Sequence, residues 1–144
     1  LLITLYETYE PVCMKQNLEL KLHLSEESYP AMLTDKDRLF QILCVFMDNA
    51  IQHSKNNSLI EIEVIATEKN IAFSVADHGQ GISDEDKQYI FDRFYSGDKS
   101  HTNKSNFGLG LSIAKELTQM LNGTITINDT AGGGATFTVK FPLK

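Results

Sequence analysis

The chain has little of what marks several classes of protein. Its two cysteines, Cys13 and Cys44, are too few for a disulfide framework and fit the reducing cytosol. No apolar run is long enough to cross a bilayer, and no signal peptide is visible. The 13 basic residues are outnumbered by 19 acidic ones, and the net charge of −6 argues against a nucleic-acid-binding surface. These absences predict a soluble, cytoplasmic chain that binds no nucleic acid.

The composition that remains is that of an ordinary globular domain, with 42% hydrophobic and 22% charged residues. Its 144 residues are enough for one domain with a core, and no internal repeat divides them. We expect residues 17–144 to form that domain. Residues 1–16 begin as if in mid-helix and without methionine, so we expect a helix or connector from an upstream region, broken near Pro11.

The spacing of apolar residues predicts the secondary structure. Alternating patterns predict strands at 17–24, 60–64, 71–76, 124–128 and 135–141. Helical spacing and capping residues predict helices at 35–54, 83–90 and 110–121. This order predicts an α+β fold, a two-layer α/β sandwich with one mixed, mostly antiparallel sheet of about five strands and three helices on one face.

The most informative motif follows the predicted strand 71–76. It consists of Asp77, two glycines at Gly79 and Gly81, and Ile82. A carboxylate at this point can accept a hydrogen bond from an exocyclic amine, and the glycines let the backbone pass close under a flat ring. In isolation such a motif is more often a turn cap, so its meaning depends on what surrounds it.

Three further elements surround it in a fixed order. Asn49 and His53 lie four residues apart on a predicted helix, so both project from one face. Phe91-Asp92-Arg93-Phe94 follows the motif, and Gly108-Leu109-Gly110-Leu111 precedes the last predicted helix, where backbone N–H groups can bind an anion. Together these elements resemble the ATP-binding catalytic domain of bacterial sensor histidine kinases, within the gyrase, heat-shock chaperone, histidine kinase and MutL ATPase superfamily.

The resemblance implies a role for each element. Asp77 would accept a hydrogen bond from the adenine amino group, whereas the carbonyl of guanine would meet the carboxylate unfavourably. Asn49 would ligate Mg²⁺ through its amide oxygen, and His53 would contact phosphate unless it is only a solvated histidine at a helix end. The ATP-binding residues implied by the resemblance are Asn49, His53, Asp77, Gly79, Gly81, Ile82, Phe94, Lys99, Gly108, Leu109, Gly110 and Leu111. No residue is assigned as catalytic.

Two segments are similar to further parts of such kinases. Residues 96–107 are polar and would form a lid over the triphosphate, where Lys99 could meet phosphate or remain a solvated loop charge. Phe91 and Phe94 belong to a segment that resembles the F box, which marks the kinase branch of the superfamily. We expect both aromatic rings to be buried.

The chain departs from the family pattern at Val45, four residues before Asn49. The family typically has asparagine or glutamate at this position. Valine can neither activate a water molecule nor bind a metal, which argues against ATP hydrolysis and leaves the Mg²⁺ site one protein ligand short. Water or Asp48 would have to take the vacant ligand position.

The implied function is to bind Mg²⁺ and ATP and to donate the γ-phosphate to a histidine. No histidine here lies in a phosphoacceptor sequence, so the acceptor is expected on an upstream dimerisation domain of the same protein. A response regulator would be the indirect partner. The intact protein would be a membrane-anchored homodimer, while this fragment would be soluble and monomeric.

Three alternatives share some of these motifs. An anti-sigma-factor-type serine kinase has the same asparagine and glycine elements but is disfavoured by the F-box segment and by the glycine-rich hairpin near the C-terminus. A non-catalytic nucleotide-binding or interaction module would fit Val45. A DNA-topology or chaperone ATPase is disfavoured by the chain length and by the absence of glutamate at position 45.

Overall fold

The computed structural model describes residues 1–24, 34–92 and 108–143. These residues contain five strands and four helices. The helices are α1 (Leu2–Lys15), α2 (Lys36–His53), α3 (Asp84–Lys87) and α4 (Gly108–Met120). The strands are β1 (Glu19–Leu24), β2 (Leu59–Ala66), β3 (Asn70–Ala76), β4 (Thr124–Asp129) and β5 (Ala135–Pro142). None of the described helices is long and apolar enough to span a membrane.

The strands form one sheet in the order β1-β2-β3-β5-β4. β1 and β2 are parallel because α2 connects them as a crossover, and every other neighbouring pair is antiparallel. The predicted mixed, mostly antiparallel sheet is therefore confirmed. β3 pairs with β5 so that Ala76 lies opposite Thr136. This register places the residue that follows β3 beside the residue that opens β5.

The core lies between one face of the sheet and the long helices. In β2, Ile60, Ile62 and Val64 are buried, while the residues between them point to the other face. Phe137 of β5 stacks on Phe46 of α2, with ring centroids 5.4 Å apart. The predicted two-layer arrangement is thus confirmed. The described part of the chain has a fourth helix, because the segment before β1 is itself helical.

α1 runs through Pro11 without a break, which corrects the expectation of an interruption there. A proline in a helix removes one backbone hydrogen bond. Here Leu5, Tyr9 and Cys13 recur at helical spacing and are buried, so packing against the core outweighs that local loss.

The helix ends follow the capping signals of the sequence. The Asp35 side chain accepts hydrogen bonds from two backbone N–H groups of the first turn of α2, and Ser83 accepts one from Asp86. α4 begins at Gly108, two residues before the predicted start. Asn122 ends it with a φ of 62°, so asparagine supplies the left-handed residue of the C-cap.

Candidate functional site

Asp77 lies directly after β3 and is only 2% exposed. Its Oδ1 accepts hydrogen bonds from the backbone N–H of Gly79 at 3.0 Å and of Ala135 at 3.2 Å. Burial raises the pKa of this carboxyl group, and the two backbone donors offset only part of that rise. Among the described residues no donor reaches Oδ2. The second oxygen is therefore the acceptor that remains for a ligand.

Gly79 packs against the carboxyl end of α2. A Cβ added at Gly79 would overlap the carbonyl oxygen of His53 and would lie 3.3 Å from Oδ1 of Asp77. Only glycine fits here, because the overlapping atom belongs to the backbone and cannot turn away. This close approach brings the Asp77 loop together with the last turn of the helix that carries Asn49 and His53.

Asn49 is the buried polar side chain of that helix, at 7% exposure. Its amide has no hydrogen-bond partner within residues 1–24, 34–92 and 108–143. One turn earlier, Val45 faces the start of α4, since its Cγ1 would lie 3.5 Å from a Cβ added at Gly110. The structure therefore brings Asp77, Asn49 and the first turn of α4 to one end of the core.

Asp48 does not share this face of α2. The Tyr9 hydroxyl of α1 donates a hydrogen bond to Asp48 Oδ1 at 2.8 Å, which turns the carboxylate away from the face of Val45 and Asn49. Asp48 is therefore directed away from the position beside Asn49 at which it was predicted as one of two substitute ligands. The partly buried hydroxyl also has a raised pKa, chiefly because of its burial.

The other predicted site residues take several positions. Gly108, Leu109 and Gly110 form the first turn of α4, while the side chain of Leu111 is buried in the core. Gly81 has a φ of 78°, and a Cβ there would lie 3.4 Å from the carbonyl oxygen of Gly134. Among the other predicted ligands, Ile82 is partly buried and packs against the core. Phe94 and Lys99 lie outside the described residues.

The residues expected around these positions are only partly described. Phe91 is half-buried and meets Phe137 edge-on, with ring centroids 6.3 Å apart. The predicted lid at 96–107 and the rest of the F-box segment lie outside the described residues.

Sequence reasoning did not place Gly134 and Ala135 in the site, because it treated them as part of a glycine-rich hairpin and the start of a strand. Gly134 has a φ of 116°, and a Cβ there would overlap the carbonyl oxygen of Asp77. The backbone N–H of Ala135 donates to Oδ1 of the Asp77 side chain, and the carbonyl oxygen of Ala135 accepts a hydrogen bond from the Asp77 backbone N–H. The run of three glycines was the available signal, because a closely approached backbone often requires glycine.

His78, the residue after Asp77, points to the face of the sheet opposite the core. Its Nε2 is hydrogen-bonded to Glu61 Oε1 at 3.0 Å, and His23 Nε2 is hydrogen-bonded to Glu61 Oε2 at 2.9 Å. The hydrogen bond with His78, and to a smaller extent the one with His23, holds the pKa of Glu61 below its ordinary value. Glu61 thus links the edge strand β1 to the loop that carries Asp77.

We expect Glu61→Gln to lower the free energy of unfolding at pH 7 by up to about 1 kcal/mol, because its carboxylate is hydrogen-bonded to two partly exposed histidines and such exposed contacts contribute little. The pKa of Glu61 is lower in the folded chain than its ordinary value of 4.5. Its contribution is therefore present above that value and is lost as the pH falls through the lower folded value. Urea unfolding at pH 7 and pH 3 measures this, with the exposed neighbour Glu63→Gln as the control. Equal destabilisation at both pH values would contradict the assignment.

The comparison with protein families decides what this arrangement is. Residues 34–144 match the family described as histidine kinase-, DNA gyrase B- and HSP90-like ATPase. The chain belongs to this ATPase family. The predicted resemblance is confirmed, and with it the use of ATP.

Proteins similar to this chain include sensor kinases. The sensor protein CiaH of Streptococcus pneumoniae serotype 4 is 36% identical over 142 residues, which cover 98% of this chain and 32% of that protein. The catalytic domain of the histidine kinase ThkA superposes with a TM-score of 0.83 at 26% identity, covering 97% of this chain and 89% of that one. Full-length ShkA in complex with AMPPNP gives a TM-score of 0.81 at 26% identity over 96% of this chain and 28% of that one. The chain is thus an ATP-binding catalytic domain of the histidine kinase type, and it spans about a third of its CiaH relative.

Proposed function

We propose that this domain binds ATP with Mg²⁺ and donates the γ-phosphate to a histidine on a separate dimerisation domain of the same protein. The observation that carries the proposal is the Asp77 carboxylate, which is buried and held by Oδ1 while Oδ2 has no donor among the described residues. A bound base would cut Oδ2 off from water, and an acceptor without a donor is then costly, so a ligand amine that supplies one gains affinity and selectivity.

The surrounding elements suit the rest of a nucleotide. Gly79 and Gly81 allow a flat base to approach the backbone beside Asp77. The first turn of α4, from Gly108, offers backbone N–H groups to the phosphates, and the helix dipole favours their negative charge. His53, at the end of α2, would contact phosphate from the other side. Such a site works by holding the phosphates in position and stabilising their charge.

The donor set fits a magnesium ion carried by the nucleotide. Within the described residues no group of three or more His, Cys, Asp or Glu side chains could hold a metal by itself. Asn49 would supply one amide oxygen, and Mg²⁺ commonly takes one or two protein ligands together with phosphate oxygens and water. The ion would neutralise phosphate charge. Val45 offers no ligand, so the protein's own hold on the ion would rest on Asn49.

We expect Val45→Asn to increase the effect of Mg²⁺ on nucleotide affinity by about tenfold, the value of one added charge-assisted contact. The new amide would lie one helical turn from Asn49 on the same face. Calorimetric titration with a non-hydrolysable ATP analogue, with and without Mg²⁺, measures the ratio of dissociation constants. Val45→Ala is the matched control, because it opens space without adding a ligand. A ratio that is the same in all three proteins would show that position 45 does not face the ion.

Transfer of phosphate in trans tests the function itself. The chain is mixed with labelled ATP, Mg²⁺ and a histidine-containing dimerisation domain from a related kinase, with Asp77→Asn as the control. Acid-labile labelling of the histidine domain that depends on Asp77 is the expected result. Acid-stable labelling of serine would instead favour the anti-sigma-factor type of kinase.

A non-catalytic nucleotide-binding module is the second candidate, and Val45 is the observation that favours it. It predicts ATP binding that requires Asp77 but no transfer to any histidine domain. Calorimetry and the transfer assay together separate the two functions, since only the kinase gives a positive result in both.

The whole protein is proposed to follow the sensor-kinase relatives. Residues 1–16 would connect the catalytic domain, residues 17–144, to an upstream dimerisation region that carries the phosphoacceptor histidine. The intact protein would be a membrane-anchored homodimer with this domain in the cytoplasm, and a response regulator would receive the phosphate. Cross-linking and membrane fractionation of the full-length protein test these proposals.

A further inference from the structure

A turn of three glycines, Gly132 to Gly134, joins β4 to β5 and brings the first residue of β5 against Asp77. Gly134, at a φ of 116°, packs so closely that an added Cβ would lie 2.8 Å from the carbonyl carbon of Asp77 and would overlap the carbonyl oxygen. The carbonyl group of Ala135 accepts a hydrogen bond from the Asp77 backbone N–H at 2.9 Å. The turn therefore holds the backbone of Asp77 in place.

The same turn also holds the side chain. The N–H of Ala135 and the N–H of Gly79 both donate to Oδ1 of Asp77, at 3.2 and 3.0 Å. With both donors on one oxygen, rotation of the carboxylate would break two hydrogen bonds in a site that is 2% exposed. Oδ2 is consequently fixed in direction as well as left without a donor from the described residues.

We infer that the Gly134–Ala135 peptide is a positioning element for base selectivity, which aims Oδ2 of Asp77 at the exocyclic amine of the base. The inference rests on the proposed function, because it requires that Asp77 meets a purine. Gly134 and Ala135 act through Asp77 and need not touch the nucleotide. Gly134 is required for its conformation and its close approach, and Ala135 for its backbone N–H.

The test compares two nucleotides that differ only at the amine. Dissociation constants are measured by calorimetry for a non-hydrolysable ATP analogue and for the matching analogue of purine riboside triphosphate, which lacks the amine. The ratio of the two constants reports selectivity, because partial unfolding weakens both complexes equally. Gly134→Ala is expected to reduce this ratio by about tenfold, the value of one hydrogen bond to a charged group.

Gly132→Ala is the matched control. Gly132 also has a positive φ, of 86°, but an added Cβ there meets nothing within 4 Å. Both substitutions therefore carry the same kind of backbone strain, and only Gly134→Ala disturbs Asp77. The control is expected to keep the selectivity ratio of the unsubstituted chain. A ratio that falls equally in both variants would overturn the inference.

If Gly134→Ala does not fold, Ala135→Pro provides a second test of the inference. Proline is tolerated at the first residue of a strand, and it removes the N–H donor while keeping the carbonyl acceptor. We expect the selectivity ratio to fall in this variant too. If the unsubstituted chain binds neither analogue, the proposed function fails and this inference with it. If selectivity depends on Asp77 yet survives both substitutions in the turn, only the inference fails.

Discussion

Asp77→Asn is expected to weaken ATP binding by about 10- to 100-fold while the domain stays folded. The asparagine oxygen can keep the two backbone hydrogen bonds that Oδ1 of Asp77 accepts from Gly79 and Ala135. The amide nitrogen then replaces Oδ2, so the site presents a donor to the base instead of an acceptor. Adenine loses its hydrogen bond, and a purine with a carbonyl at the same position gains one. Selectivity should therefore shift towards guanine or hypoxanthine nucleotides.

The direction in which Asp77→Asn changes the free energy of unfolding follows from the pKa of Asp77. Burial raises the pKa of Asp77 above its ordinary value of 3.8, so the ionised carboxylate opposes folding at neutral pH. This opposition disappears as the pH falls below the ordinary value. Asparagine carries no charge to bury, so the free energy of unfolding at pH 7 should equal or exceed that of the unsubstituted chain.

Calorimetry with ATP and GTP analogues, together with urea unfolding at pH 7 and pH 3, measures both effects. Glu68→Gln is the control, because it neutralises one exposed carboxylate in the β2–β3 turn. Unchanged affinity for ATP in Asp77→Asn would remove Asp77 from the site. A large loss of stability at pH 7 would show that the carboxylate is structural.

Much of the fold could be predicted from local pattern, because local pattern sets which face of each element is buried. The alternation of Ile60, Ile62 and Val64 with glutamates was enough to predict β2 and its buried face. Pro11 shows where local pattern fails. The tendency of proline to break a helix acts on only a few neighbouring residues, whereas the packing of Tyr9 and Cys13 on the core depends on the whole fold.

The candidate site could be predicted only in part, for a related reason. Asp77 stands out in the sequence because glycines follow it. Ala135, which donates to its carboxylate, lies 58 residues further along the chain, and only the β3–β5 register brings the two together. The orientation of Asp48 was likewise out of reach, because it depends on the hydroxyl of Tyr9 on another helix.

Gly79→Ala is expected to abolish measurable nucleotide binding and to lower the free energy of unfolding by about 1–3 kcal/mol. The added Cβ would overlap the carbonyl oxygen of His53, so either the loop that carries Asp77 or the last turn of α2 must move. Both movements separate Asp77 from Asn49. A displacement of about 1 Å is enough to lose well-aligned hydrogen bonds to a ligand.

Gly123→Ala separates loss of the site from loss of stability. A Cβ at Gly123 would lie 2.5 Å from the ring of Phe141, so this substitution is also expected to destabilise the domain. Its clash is with Phe141, which pairs with Ile71 and therefore lies at the end of β5 away from Asp77. Nucleotide affinity should therefore survive wherever the variant is folded. Calorimetry with an ATP analogue, at a temperature where circular dichroism shows both variants folded, makes the comparison. Equal affinity of Gly79→Ala and Gly123→Ala for the analogue would contradict this prediction. The contact between the Asp77 loop and α2 would then not be needed to assemble the site, and binding would depend on the first turn of α4 instead.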